Sequence, residues 1–201
     1  SDSVILNALK SSGWDKLILE DKGILKKNPN LKLDLNAIAK GYTVDKVHQK
    51  IVEMGFKDVF VEIGGEVKCS GQNKFEKKWR VGLEDPISSS KNIIKIINIE
   101  NRAMATSGNY RNFVDLNGSI LGHTIDPRIG KPIKSEVLSV TVLSSSCMKA
   151  DAWATALMVM SFKKGKEMIK IEDDIDVFWI LDKGNNIYGF EKTSGVELDK
   201  I

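Results

Sequence analysis

Cysteine is scarce in this chain of 201 residues. The two thiols, Cys69 and Cys147, lie far apart and lack metal-ligand spacing, so they build neither a zinc site nor a disulfide framework. They read as buried thiols packed as small hydrophobes. No apolar run approaches the roughly 18 residues of a membrane span. The opening SDSVILNALKSSGW has no basic start and no apolar stretch of signal-peptide length; if the protein is exported, its targeting segment is not in this chain. Charge of one sign is also lacking. The formal net charge is +3, spread along the chain, which excludes the concentrated basic face of a nucleic-acid binder. A weakly basic surface still suits a phosphorylated small molecule. There is no internal repeat, low-complexity tract or linker.

What is present has ordinary globular composition, with 42% hydrophobic and 28% charged residues, enough for one substantial domain. Helical spacing marks residues 3–12 and a longer helix from Asn36, read as its N-cap, to about Met54, with Gly55 as the stop. Ile38, Val44, Val47, Ile51 and Met54 give this helix an apolar stripe. Ser144 to Ser146 offer caps for a helix from Cys147 to about Met160, and Lys164 to Ile171 reads as another. Short strands are expected at 16–20, 24–26, 59–63, 66–70, 79–83, 93–99, 104–106, 113–115, 119–121, 137–143, 177–181 and 187–190. Asn117-Gly118 is a strong hairpin signal. Hairpins outnumber alternating β–α units, so the expected class is α+β, with helices packed on a largely antiparallel sheet.

Five segments carry candidate chemistry. In ADAWATA, Asp151 and Thr155 stand one helical turn apart on one face. A carboxylate and a hydroxyl are hard oxygen ligands of the kind Mg2+ takes. A solvated helix face explains the same spacing, but the small and apolar neighbours point to partial burial, where a carboxylate needs a partner. In LDLNAIAKG, Asp34 precedes a helix start that can hold phosphate, with Lys40 adding charge; a capping acid and a surface lysine are the plain alternatives. Gly64-Gly65 follows a buried strand, where it allows either close approach of a ligand or a tight turn. In ATSGNYR, Thr106, Ser107 and Gly108 offer hydroxyls and N–H groups to an anion, or form a polar loop. HTIDPRIGKP places His123, Asp126 and Arg128 together, with His123 a candidate for proton transfer or a structural histidine. His48 reads as structural, on a helix surface.

Taken in order, LDLNAIAKGYTVD, VEIGGEV, WRVGLEDP, ATSGNYRNF, HTIDPRIGKPI and VTVLSSSCMKADAWATAL resemble the motifs of the ApbE family, the FAD:protein FMN transferases, from about Leu33 to Met160. The resemblance implies a fold like the modified T-fold and a chain that is one domain over 1–201, comprising the central and C-terminal part of the family domain. It implies Mg2+ as cofactor and FAD as bound substrate. The pyrophosphate of FAD is cleaved, FMN passes to a threonine hydroxyl of an acceptor protein, and AMP leaves. The alternatives are a FAD pyrophosphatase yielding FMN and AMP, or an inactive, truncated flavin-binding domain. By matching motif, the metal ligands are Asp151, Thr155 and the carbonyl of Ala37. Asp34, Lys40 and Ile125 lie against FAD, with Gly64, Gly65, Ser107 and Gly108 as walls of its site. His123 is the candidate base for the acceptor threonine, with Asp126 either orienting it or serving the structure. Family members carry a long segment before LDLNAIAKG, whereas 32 residues precede Leu33 here. That segment normally contributes around flavin and adenine and carries the lipobox of secreted members. The implied setting is therefore the periplasmic face, with a lipid-anchored precursor and homodimerisation as a further expectation.

Overall fold

The computed structural model describes residues 2–86, 92–108, 113–116, 119–122, 124–133, 135–185 and 187–199. The chain opens with α1 (Asp2–Lys10), the hairpin β1 (Leu17–Glu20) and β2 (Gly23–Lys26), and the long helix α2 (Asn36–Glu53). Strands β3 (Val59–Ile63), β4 (Glu66–Ser70), β5 (Trp79–Glu84), β6 (Ile93–Ile99) and β7 (Ala103–Gly108) follow. Then come the hairpins β8 (Phe113–Leu116) with β9 (Ser119–Gly122), and β10 (Ile125–Asp126) with β11 (Lys131–Pro132). The last part is β12 (Val137–Ser144), α3 (Cys147–Met158), α4 (Phe162–Met168), β13 (Asp176–Asp182), β14 (Tyr188–Lys192) and β15 (Glu197–Leu198).

Six strands form the central sheet in the order β14-β13-β12-β7-β4-β3, and β15-β6-β5 form a second sheet. Every strand pair among the described residues is antiparallel. The α+β expectation holds. No helix among the described residues is long and apolar enough to cross a membrane.

The central sheet is buried on both faces, which is why its inner strands are continuous apolar runs instead of alternating ones. In β13, Val177, Trp179 and Leu181 point to the helical layer, where they pack with Ala150, Ala154 and Leu157 of α3. Phe178 and Ile180 point the other way and pack with Leu83, Ile97 and Ile99 of the second sheet. β12 follows the same division: Val140 and Val142 join the helical layer, Leu143 the second sheet. The period-two geometry of a strand makes this sorting automatic, and each large apolar side chain so buried contributes about 1.5–3 kcal/mol. The edge of the helical layer is α2, which packs Val44 against Val59, Val61, Ala103 and Cys147.

Two details of α2 differ from the sequence reading. Asn36 is the first helical residue, not the cap: Leu35 holds the cap position without a side-chain hydrogen bond, and the Asn36 N–H donates to the Asp34 carboxylate at 2.8 Å. The inward face is Gly41, Val44 and His48, while Val47 and Met54 are exposed. An apolar stripe alone misses this face because two of its members are not apolar. His48 is thus buried, not on a helix surface, and its Nε2 lies 3.1 Å from Ser70 Oγ. The hydrogen bond offsets the cost of burying the ring. Elsewhere, β7 extends through Ser107 and Gly108, which pair with Val140 and Ser139, so these residues are strand and not loop. The last predicted helix forms earlier, over Phe162–Met168, with Ser161 as its cap. The Asn117-Gly118 turn lies outside the described residues; the strands on either side of it pair as expected.

Candidate functional site

The site begins with charges on the wrong face of a strand. In β4, Val67 and Cys69 point into the apolar layer between the sheets. Glu66 and Lys68 therefore point at α2 and α3. Each meets a partner from α2: Lys40 Nζ lies 2.6 Å from Glu66 Oε1, and Lys68 Nζ lies 2.6 Å from Asp45 Oδ1. The spacings match. Five helical residues span about 7.5 Å and two strand residues about 6.6 Å, so α2 and β4 can run side by side with both pairs in register.

Asp45 also fixes α3. Its carboxylate accepts hydrogen bonds from the Cys147 and Met148 N–H groups and from Ser146 Oγ, at the start of that helix. Burial pushes the Asp45 carboxyl up, but the bonds from Lys68 and from the helix start outweigh it and hold the group below its ordinary value. One turn earlier, Gly41 lets the two helices touch. A Cβ there would sit 2.4 Å from the Cys147 carbonyl oxygen. The same close approach brings the Gly41 N–H to Asp151 Oδ2 at 3.0 Å. This is the N–H that helical pairing directs at the Ala37 carbonyl, so Asp151 draws on a donor that Ala37 would otherwise use.

Around this junction lies a cleft of about 450 Å³. The start of α2 supplies Asn36 and Lys40, and α3 supplies Asp151, Thr155 and Met158. The β3–β4 turn supplies Gly64 and Gly65, both at positive φ (62° and 100°), as a two-residue hairpin turn requires. Ser107 and Gly108 of β7 close another side, with Ser107 Oγ 3.5 Å from Thr155 Oγ1. The second sheet forms the opposite wall through Val81 to Glu84 of β5.

Seven of the residues expected in the site thus line one cleft: Lys40, Gly64, Gly65, Ser107, Gly108, Asp151 and Thr155. Ala37 is half-buried in the first turn of α2, next to it in the helix. Asp34 is exposed just ahead of that turn and Ile125 is exposed in β10; neither is in the cleft lining. Asp126 lies apart from the cleft, where Arg128 grips it through Nε and Nη2. His123 lies outside the described residues. Glu66 was missed as a site residue, although a charge on the helix-facing side of a central strand is a readable signal. Thr106, offered with Ser107 and Gly108 in ATSGNYR, is in the lining too, whereas Ser139 and Thr141, also there, gave no such signal.

Asp151 is 4% exposed and Glu66 2%. Burial raises the pKa of both, and each receives relief from Lys40, itself half exposed. One oxygen of Glu66 is buried without a hydrogen-bond partner. Two buried carboxylates against one half-exposed ammonium leave the cleft negative, which a divalent cation would correct. No group of three or more His, Cys, Asp or Glu side chains gathers among the described residues. The donors that Asp151 and Thr155 offer in the cleft are hard oxygens, the ligand type that Mg2+ takes. The thiols take no part: both are free and buried, and burial pushes Cys147 up to about 12.

Asp126 gives a pH prediction. The hydrogen bonds from Arg128 hold its carboxyl at about 2, against an ordinary 3.8. A depressed acid stabilises the fold fully above its unfolded value and loses that contribution as pH falls through the folded one. Thermal unfolding midpoints are expected to drop between about pH 4 and pH 2. Asp126→Asn is expected to be less stable than the parent at neutral pH and to lose less on acidification; parallel curves for the two proteins would contradict this.

The model of the ApbE family matches residues 1–179. A protein of Vibrio cholerae serotype O1 named FAD:protein FMN transferase is 42% identical over 161 residues, covering 80% of this chain and 48% of its own length. Its namesake from Haemophilus influenzae is 34% identical over 194 residues, covering 94% of this chain and 55% of its own. Among solved structures, the flavin transferase ApbE of Vibrio cholerae superposes with a TM-score of 0.84 at 36% identity, over 96% of this chain and 61% of that one. The ApbE protein of Thermotoga maritima gives a TM-score of 0.83 at 29% identity. The chain spans about half the length of the curated relatives it matches.

Proposed function

The chain belongs to the ApbE family, and from that premise we propose that it carries the cation-binding and pyrophosphate-binding part of a Mg2+-dependent FAD:protein FMN transferase. The observation that supports this reading is the convergence of Lys40, Asp151 and Thr155 from two helices on one cleft beside the Gly64-Gly65 turn.

In this reading Asp151, Thr155 and the Ala37 carbonyl hold the cation. Bound there, it would offset negative charge on the pyrophosphate as the phosphoanhydride breaks. Lys40 adds a point charge to the phosphate oxygens. Gly64 and Gly65 keep the rim low, because neither has a side chain to block a ligand. Ser107 and Gly108 wall the site on the β7 side. The acceptor threonine oxygen bonds to the FMN phosphorus and the bond to the AMP oxygen breaks, so AMP leaves with that electron pair. The hydroxyl proton goes to a base, for which His123 is proposed on its place in HTIDPRIGKPI. Positioning and charge supply most of the rate in such transfers. Asp34 and Ile125, outside the cleft lining, are proposed to touch FAD where it extends beyond that lining. The same reading assigns the protein to the extracytoplasmic face, with a lipid-anchored full-length form.

The test is incubation of the chain with FAD, Mg2+ and an acceptor carrying a threonine site. Covalent flavin on the acceptor, with AMP in equal amount, is the expected result. Free FMN plus AMP without labelled acceptor would replace transfer by hydrolysis, and no cleavage at all would refute the reading.

A further inference from the structure

Glu66 is placed oddly for a residue whose only task is to anchor Lys40. It occupies the first position of β4, is 2% exposed, and accepts from Lys40 Nζ through Oε1 at 2.6 Å. Its second oxygen, Oε2, is the one side-chain polar atom among the described residues that is fully buried without a hydrogen-bond partner. An ionised carboxylate has about four acceptor positions, and leaving a buried one bare costs more than a salt bridge to a half-exposed lysine returns. The nearby Asp151 carboxylate adds repulsion. An anchor for Lys40 needs one oxygen and no such burial. The bare oxygen lies 3.8 Å from the point where a Cβ on Gly64 would stand, and Glu66 and Gly64 both belong to the cleft lining.

We propose that Glu66 Oε2 accepts a hydrogen bond from a water of the divalent cation held by Asp151 and Thr155, which makes Glu66 a positioning residue for that cation. The proposal rests on the cation site of the preceding section. Mg2+ dehydrates reluctantly and keeps several waters, whose protons need acceptors. Outer-shell carboxylates commonly supply them and tune the affinity of the site. Glu66 meets these needs with its charge, its free lone pairs and its place across the cleft from α3. Lys40 then has two roles that pull apart: it neutralises Glu66 through Oε1, and it lowers the attraction of the cleft for a cation.

The opposite signs provide the test. Mn2+ serves as the probe, with free ion followed by electron paramagnetic resonance in the parent and in Glu66→Gln, Lys40→Met and Asp151→Asn. Glu66→Gln is expected to weaken Mn2+ binding about 10–100-fold, while Lys40→Met leaves it unchanged or tightens it. Asp151→Asn is expected to remove it. If Glu66→Gln binds like the parent while Asp151→Asn does not bind, the proposal fails and the cation site stands. Equal weakening in Glu66→Gln and Lys40→Met also overturns it, since Glu66 would then act only through the lysine. If the parent binds no better than Asp151→Asn, the cation site itself fails and takes the proposal with it. Unfolding midpoints without metal check that each variant folds; should Glu66→Gln not fold, Glu66→Asp, which shortens the reach and keeps the charge, takes its place and is expected to lose affinity as well.

Discussion

On the proposed function, replacement of Asp151 by asparagine is expected to abolish Mg2+-dependent cleavage of FAD, with a loss of about 10³-fold or more in rate, while the folded protein without metal becomes no less stable. The two halves of that statement have one cause. Asp151 is buried on α3, and its resolved hydrogen bond is to a backbone N–H, that of Gly41. Burial raises its pKa; that bond and the Lys40 charge only partly counter this. A carboxylate kept in such a place destabilises the empty protein, because the charge is poorly solvated. Asparagine keeps the shape and can still accept from Gly41, but it removes the charge. The empty fold should therefore unfold at the same temperature or somewhat higher. A bound cation supplies several kcal/mol of charge stabilisation in the transition state, and each 1.36 kcal/mol is tenfold in rate. Release of AMP, followed by chromatography across a Mg2+ titration, measures the first half; thermal unfolding in chelator measures the second. Turnover equal to the parent would eliminate Asp151 as a ligand. A large fall in unfolding temperature would mean that the residue is retained for the fold.

Gly41→Ala is expected to destabilise the protein by crowding the contact between α2 and α3. On an exposed helix this substitution stabilises by about 1 kcal/mol, since alanine is the better helix former. Here the added Cβ would stand 2.4 Å from the Cys147 carbonyl oxygen, 2.7 Å from its carbon and 2.8 Å from Met148 Cα. All three are backbone atoms, so no side chain can swing aside. Relief requires α3 to move from α2, and Asp45 holds the start of α3 in place through three hydrogen bonds. Overpacking of this kind costs about 1–3 kcal/mol and sometimes more. Set against the helix gain of about 1 kcal/mol, the upper end of that range gives a net loss of about 2 kcal/mol, or roughly 4–8 °C in unfolding midpoint for a chain of this size. Because the same movement breaks the Gly41–Asp151 contact, cation affinity should fall with it. An unchanged or raised midpoint would show that the helix contact yields without cost, and would remove the argument that Gly41 sets the spacing of the site.

The opposed behaviour of the acids follows from where each one lies. Asp45 and Asp126 have their charges met in full and are held below their ordinary values. Asp151 and Glu66 are raised. The first pair serves the fold, and acid removes its contribution. The second pair weakens the empty fold at neutral pH, and a ligand of positive charge would recover that loss. Stability and binding are in this sense assigned to different carboxylates.

Much of the architecture was legible before any coordinate. The β-branched run at 137–143, the caps at Ser144 to Ser146 and the stop at Gly55 each have a local physical cause, and the elements formed where those causes placed them. The ADAWATA run was legible as chemistry too, since Asp and Thr at a four-residue spacing must share a helix face. The errors have local causes as well. The stripe drawn on α2 followed hydropathy and so passed over Gly41 and His48, which face inward for reasons of space and hydrogen bonding. Ser107 and Gly108 looked like a loop because their composition is that of one; their pairing with Val140 and Ser139 is a long-range fact.

The sequence by itself determined the class of the fold, the helices and most of the strands, though not the short β10, β11 and β15, and a set of oxygen-bearing residues suited to a cation and a pyrophosphate. Those are consequences of periodicity, capping and side-chain chemistry, which act over a few residues. Only the tertiary structure decided which of those residues meet. It brought Lys40, Gly64, Ser107, Asp151 and Thr155 to one cleft and left Asp34, Ile125 and Asp126 out of its lining. It also added Glu66, whose bare oxygen no local pattern announces. The reason is physical: burial and the distance between charges are set by packing between elements remote in sequence, here α2 against α3 and β4, and that packing turns on a glycine with no side chain.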